Sequence, residues 1–138
     1  MAARLRYVLD TNIVSLVVRE PGGTLARRLA AMARVEFGIS VIAACELRYG
    51  VSRKGSARLA TQLEEVLEGI DILPLEEPAD EHYGDIRTAL ERIGRPIGHN
   101  DLLIAAHARS LGATLVTRNI DEFARVPNLD VETWPDEL

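Results

Sequence analysis

An α/β fold, with a mainly parallel sheet and helices on both of its faces, is predicted by three features of this sequence. Short apolar runs of strand length alternate with longer stretches of helical periodicity. The apolar runs end on residues that cap helices. No composition break, linker or internal repeat divides the chain, so residues 1–138 are expected to form one domain.

The elements follow in order. Leu5 to Leu9 is a short apolar run that stops at Asp10-Thr11-Asn12, three residues that all serve as N-caps, so a strand is followed by a turn or helix start. Ile13 to Val18 begins a helix that halts near Pro21-Gly22-Gly23, and Thr24 to Arg34 resumes it with Leu25, Leu29 and Met32 at helical spacing. Phe37 to Ile39 is a second strand. Ser40 caps the next helix, which is expected to run to Gly50. Ala57 to Leu67 is amphipathic, and Ile70 to Leu75 reads as a third strand limited by Pro74. Ala79 to Ile93 is a polar-faced helix closed by Gly94. A loop, Arg95 to Gly98, leads to a helix from His99 or Asn100 to Leu111. Thr114 to Val116 is a fourth strand, Asn119 to Arg125 a short helix or turn, and Leu129 to Trp134 a fifth strand.

Composition excludes several classes. At 47% apolar and 27% charged residues the chain is neither disordered nor fibrous. Its longest aliphatic runs, Val41 to Cys45 and Leu102 to Ala106, are too short to span a bilayer. No apolar signal core follows Arg4 and Arg6, and the single cysteine, Cys45, permits no internal disulfide, so a cytoplasmic location is expected. Net charge is −5 but unevenly placed: residues 1–60 carry ten basic and four acidic residues, and residues 61–138 carry six and seventeen. A basic half can form a phosphate-binding face on an acidic protein, or can simply be solvated helix surface.

The carboxylates are the informative feature. In open α/β sheets ligands bind beyond the C-terminal strand ends, near the switch in strand order. Asp10 ends the first strand, Glu46 lies in the second turn after the second, Asp101 opens the helix before the fourth, and Asn119, Asp121 and Glu122 follow the fourth. Asp10 or Asp101 alone would serve as a cap; Glu46, among Ala43, Ala44, Cys45 and Leu47, needs a partner if buried. Gathered in one pocket, such groups repel as bare anions. Mg²⁺ or Mn²⁺, which take carboxylate oxygens and water, would remove that conflict and can activate water against a phosphodiester.

Four segments resemble a known family. Leu9-Asp10-Thr11-Asn12, then Ser40 to Leu47 with Tyr49-Gly50, then Ile97 to Ala108 around Asp101, then Leu115 to Asn119 with Phe123, Pro127 and Trp134 are similar, in order and spacing, to the motifs of PIN-domain ribonucleases. Order, spacing and length match the VapC-type toxins of bacterial toxin–antitoxin pairs, over essentially the whole chain. The resemblance implies a three-layer α/β/α sandwich on a sheet of about five strands. It implies a Mg²⁺- or Mn²⁺-dependent endoribonuclease that inhibits translation, neutralised by a VapB-type antitoxin, with Asp10, Glu46 and Asp101 as metal ligands. At the fourth position Glu122 is expected as the outer acid and Asn119 as a site neighbour, with Asp121 a further candidate. Thr11 and Thr117 would orient water or carboxylates, or act as caps. Arg118, Arg48 and His99 are candidate substrate contacts, although both arginines also have carboxylates nearby in sequence. Product ends of 5′-phosphate and 3′-hydroxyl are implied.

With aromatic residues at only 4%, stacking recognition of single strands is poorly supplied, so a folded RNA such as a tRNA stem-loop fits better. The helices at Val14 to Val18, Leu25 to Met32 and Ala57 to Leu67 are candidate antitoxin grooves or dimer faces, or simply core, and a two-fold homodimer is the default assembly. His82, His99 and His107 form no His-x-x-x-His pair, which argues against zinc. Cys45 is expected to pack rather than react. A phosphoacceptor domain would need a late lysine, whereas Lys54 is the only one; a phosphatase would need Asp where Asn12 stands. A catalytically silent PIN-like binding module is the surviving alternative.

Overall fold

The computed structural model describes residues 4–135. Five strands, Tyr7–Leu9 (β1), Phe37–Ser40 (β2), Asp71–Leu73 (β3), Thr114–Val116 (β4) and Val131–Glu132 (β5), form one parallel sheet in the order β3-β2-β1-β4-β5. The helices are Thr11–Arg19 (α1), Thr24–Ala30 (α2), Val41–Lys54 (α3), Ala57–Glu68 (α4), Ala79–Arg92 (α5), His99–Ser110 (α6) and Ile120–Phe123 (α7).

The order dictates the layers. From β1 the chain steps outward to β2 and β3, then crosses back to β4 and β5 on the other side of β1. Right-handed crossovers therefore put α1, α2 and α4 on one face and α5, α6 and α7 on the other. The contacts agree: α1 packs on α2 and α4, and α5 packs on α6, while α3 touches α1 and α4 on one side and α6 on the other. The result is the expected three-layer α/β/α sandwich. Val8, Leu9, Ile39, Leu115 and Val116 fill the sheet plane, with Ile13 and Val14 above and Ile104, Ala105 and Ile86 below, all buried. The direction switch between β1 and β4 opens a crevice at their C-terminal ends.

Several boundaries differ from the sequence reading. The helix after β2 passes Gly50 and ends only at Gly55, whose φ of +63° suits a residue without Cβ. Gly50 lowers helix propensity by about 1 kcal/mol but supplies no stop, because Tyr49 and Val51 continue the turn. The second helix ends at Ala30, and Arg34–Glu36 forms a separate 3₁₀ turn before β2. β3 spans only Asp71–Leu73 because Pro74 has no N–H to extend the ladder. β5 is only Val131–Glu132, entered from a left-handed Asn128. Cys45, expected to pack, is exposed: it lies on the outward face of α3, one residue round from buried Ala44. The apolar stripes of α1, α2 and α4 are largely core, with Val14, Val17, Leu25, Leu29, Leu63 and Leu67 all buried. Among the described residues no helix is long and apolar enough to cross a membrane.

Candidate active site

Asp10 follows β1 directly and is 3% exposed. As the N-cap of α1 it accepts the Thr11 N–H on Oδ1 at 2.8 Å. Its Oδ2 accepts the Thr117 hydroxyl at 2.7 Å, across the crevice from the end of β4. Thr117 is fully buried, and its oxygen in turn accepts the Asn119 N–H at 3.0 Å, which orients the hydroxyl proton toward Asp10. Burial pushes the Asp10 carboxyl above its usual range; the Thr117 and Thr11 bonds oppose this, and the charges of Glu46 and Glu122 add to it.

Glu46 arrives from the second turn of α3. Its Oε1 accepts the Thr11 hydroxyl at 2.6 Å, so Thr11 joins two carboxylates, by its amide to Asp10 and by its side chain to Glu46. The Asn100 side-chain amide reaches Glu46 Oε2 at 3.4 Å. Asp101, in the first turn of α6, shares a hydrogen bond with Glu122 of α7. Its carboxyl is pushed up to about 7, first by burial, then by that bond, then by the charges of Glu122, Asp10 and Glu46.

The fold thus brings Asp10, Glu46, Asp101 and Glu122 to one place, at the crevice where the sheet reverses. Of the three candidates for the fourth position, Glu122 joins the cluster. Asp121 is exposed, whereas the charge of Glu122 is among the causes that raise both Asp10 and Asp101. Asn119 contributes its backbone N–H, while its side chain makes no cap bond to α7.

The expected substrate contacts sit less centrally. Arg48 pairs with Glu64 of α4, away from the acids. His99 lines a hollow of about 150 Å³ on the α5 side with Arg87, Pro96 and Leu102. Arg118 is exposed, and its backbone N–H donates to Asn12 Oδ1 at 3.3 Å. Asn100 went unnoticed in the sequence except as a helix start; its position beside Asp101 was the available signal.

The donor set suits a hard divalent cation: all four acids offer oxygen only, and their mutual repulsion is relieved by a proton or a metal ion. Among the described residues no three of them already form a closed cage; they stand as two pairs, Asp10 with Glu46 through Thr11, and Asp101 with Glu122. A divalent cation held by these acids would relieve the repulsion that helps to raise the Asp101 carboxyl.

The PIN domain family matches residues 7–129. The chain is 41% identical over 130 residues to the ribonuclease VapC2 of Rickettsia felis, covering 93% of this chain and 97% of that protein. It is 36% identical over 131 residues to the tRNA(fMet)-specific endonuclease VapC of Shigella flexneri, covering 94% and 98%. Among solved structures, VapBC2 of Rickettsia felis bound to a DNA fragment from its promoter superposes with a TM-score of 0.87 at 38% identity, over 95% of this chain and all of that one.

Proposed function

The chain belongs to the PIN-domain family, and from this premise we propose that it is a VapC-type endoribonuclease, the toxin of a toxin–antitoxin pair, which inhibits translation by cutting a structured RNA such as a tRNA. The observation that carries the reading is the four-carboxylate cluster at the β1/β4 crevice, with Asp10 and Asp101 both held above the usual carboxylate range. The relatives support the RNA: one is named a ribonuclease and another a tRNA(fMet)-specific endonuclease.

Asp10, Asp101 and Glu46 would hold a Mg²⁺ or Mn²⁺ ion. When bound, it supplies neutralisation of phosphate charge and a more acidic water. Thr117 and the Thr11 amide fix both oxygens of Asp10, so the carboxylate presents its remaining lone pairs in one direction. Glu46 is held by Thr11 and Asn100 with acceptor capacity left on Oε2, where it takes a proton from the attacking water. Glu122 stands beside Asp101 as the outer acid of the site, where it would steer a water that protonates the leaving 3′-oxygen. Ends of 5′-phosphate and 3′-hydroxyl follow.

A VapB-type antitoxin is the proposed partner, as in the VapBC complexes to which the chain is structurally similar. An acidic cluster accepts an inserted Arg or Lys. A groove of about 190 Å³ leads away from Glu46 over Val18, Leu47, Val51 and Leu63, and offers an apolar floor for an amphipathic segment. The proposed assembly is a two-fold homodimer.

The test is to incubate purified, antitoxin-free protein with total bacterial RNA and Mg²⁺ or Mn²⁺, and to map the new ends. Discrete cuts with 5′-phosphates, lost with EDTA, are expected. Intact RNA with a folded, metal-loaded protein would leave the silent binding module as the better reading.

A further inference from the structure

Ser40 and His107 lie outside the acid cluster, yet each sits on an element that carries one of its members. Ser40 ends β2 and caps α3; its Oγ accepts the Ile42 N–H at 3.1 Å. The same oxygen lies 2.7 Å from Nδ1 of His107, which projects from α6. Both side chains are buried, at 0% and 1% exposure. The Ser40 hydroxyl keeps its own proton and a second lone pair, so it bonds Nδ1 in either neutral tautomer of His107: it donates to a bare Nδ1 or accepts from Nδ1–H. Burial lowers the affinity of the ring for a second proton, against the weaker pull of the Pro74 carbonyl and Glu76. The other ring nitrogen, Nε2, is buried without a well-formed partner. Nδ1 is thus the ring nitrogen with the short, direct partner.

The placement is paired. Glu46 follows Ser40 by six residues along α3, and Asp101 precedes His107 by six along α6, a rise of about 9 Å in each helix. The two helices pack together, and they touch at both ends of that span: Ser40 on His107, and Glu46 on Asn100. The second contact is long, at 3.4 Å, and its asparagine is exposed. The buried contact is the short one.

We infer that the Ser40–His107 hydrogen bond sets the axial register of α3 against α6, and so makes His107 a positioning residue that places Glu46 relative to Asp101. This rests on the metal-nuclease reading for its consequence, not for its geometry.

His107→Leu removes the hydrogen-bonding partner of Ser40; His107→Asn keeps one, its side-chain amide, close to where Nδ1 stands. Each is compared with the wild-type chain for Mn²⁺ affinity by electron paramagnetic resonance, for folding by circular dichroism, and for the Asn100 side-chain amide signal by NMR. Both variants are expected to fold. Mn²⁺ affinity falls about tenfold in His107→Leu, the scale of outer-shell losses, and returns in His107→Asn. Adding Ser40→Ala to His107→Leu brings no further loss of Mn²⁺ affinity, because the bond is already gone. The Asn100 amide shifts in His107→Leu only. Equal affinities in wild type and His107→Leu, or equal loss in both His107 variants, would overturn the inference. If the wild type binds no Mn²⁺, the metal reading fails and the Asn100 signal alone decides: unmoved in His107→Leu, it too overturns the register role.

Discussion

The hydroxyl of Thr11 donates to Glu46 Oε1 at 2.6 Å, joining the first turn of α1 to the second turn of α3 across 35 residues of chain. Because the Thr11 amide also serves Asp10, this one residue sets the spacing of two acids. Thr11→Val keeps the shape and the amide but loses the hydroxyl. Cleavage is expected to fall about tenfold or more, the scale of outer-shell losses at metal sites, with the fold retained, and Thr11→Ser to recover most of it. Steady-state cleavage of one RNA by the three proteins checks this.

Asp10 is buried against like charges, so function there opposes stability. Asp10→Asn keeps the N-cap, since asparagine caps as well as aspartate, and removes the charge. The variant is expected to be inactive yet to melt at a higher temperature than wild type in EDTA. Thermal unfolding with and without chelator measures it.

The raised Asp101 carboxyl gives a pH signature. Its folded value is about 7, against an ordinary 3.8 unfolded. Between these values the native state holds the extra proton, so stability from this group is highest at the acid end and falls as pH rises toward 7. His107, held below its ordinary value by burial, works in the opposite direction on acidification. The difference between wild type and Asp101→Asn isolates the carboxylate. In EDTA, wild-type stability relative to Asp101→Asn is expected to decline from pH 5 to pH 7.5. With Mn²⁺ present, stabilisation is expected to grow with pH, because binding displaces a proton. Urea unfolding across that range is the measurement.

Glu122 and Asp121 are adjacent but differ in placement. Glu122 bonds Asp101 and its charge helps to raise Asp10, whereas Asp121 is exposed. Glu122→Gln is expected to slow cleavage about tenfold or more. Asp121→Asn is expected to stay within about twofold, as for a surface substitution. Single-turnover rates on one RNA separate the two.

Asp10, Glu46 and Asp101 were legible in the sequence because each stands at a fixed step from a strand end or helix start, and a parallel sheet collects such positions on one edge. The choice among Asn119, Asp121 and Glu122 was not legible: it depends on how the four-residue α7 turns, which the register of Phe123 in the core decides. The Thr11–Glu46, Asn100–Glu46 and Ser40–His107 contacts span 35, 54 and 67 residues and appear only with the tertiary packing. Arg48 was open to better reading. Two residues beyond Glu46 on a helix, it points to the opposite side, and there it meets Glu64. The third strand was foreseen, with its limit at Pro74, but not its brevity.

The central claim is that this carboxylate cluster cuts RNA with a divalent cation. Its most direct test is the cleavage rate of a single purified tRNA against Mn²⁺ concentration, for wild type and Asp10→Asn. The account predicts a rate that rises and saturates for wild type, vanishes in EDTA, and is absent in Asp10→Asn at every concentration. Wild-type cleavage that EDTA leaves unchanged, or a folded wild type that binds Mn²⁺ and cuts none of the tRNAs or other RNAs offered, would contradict it.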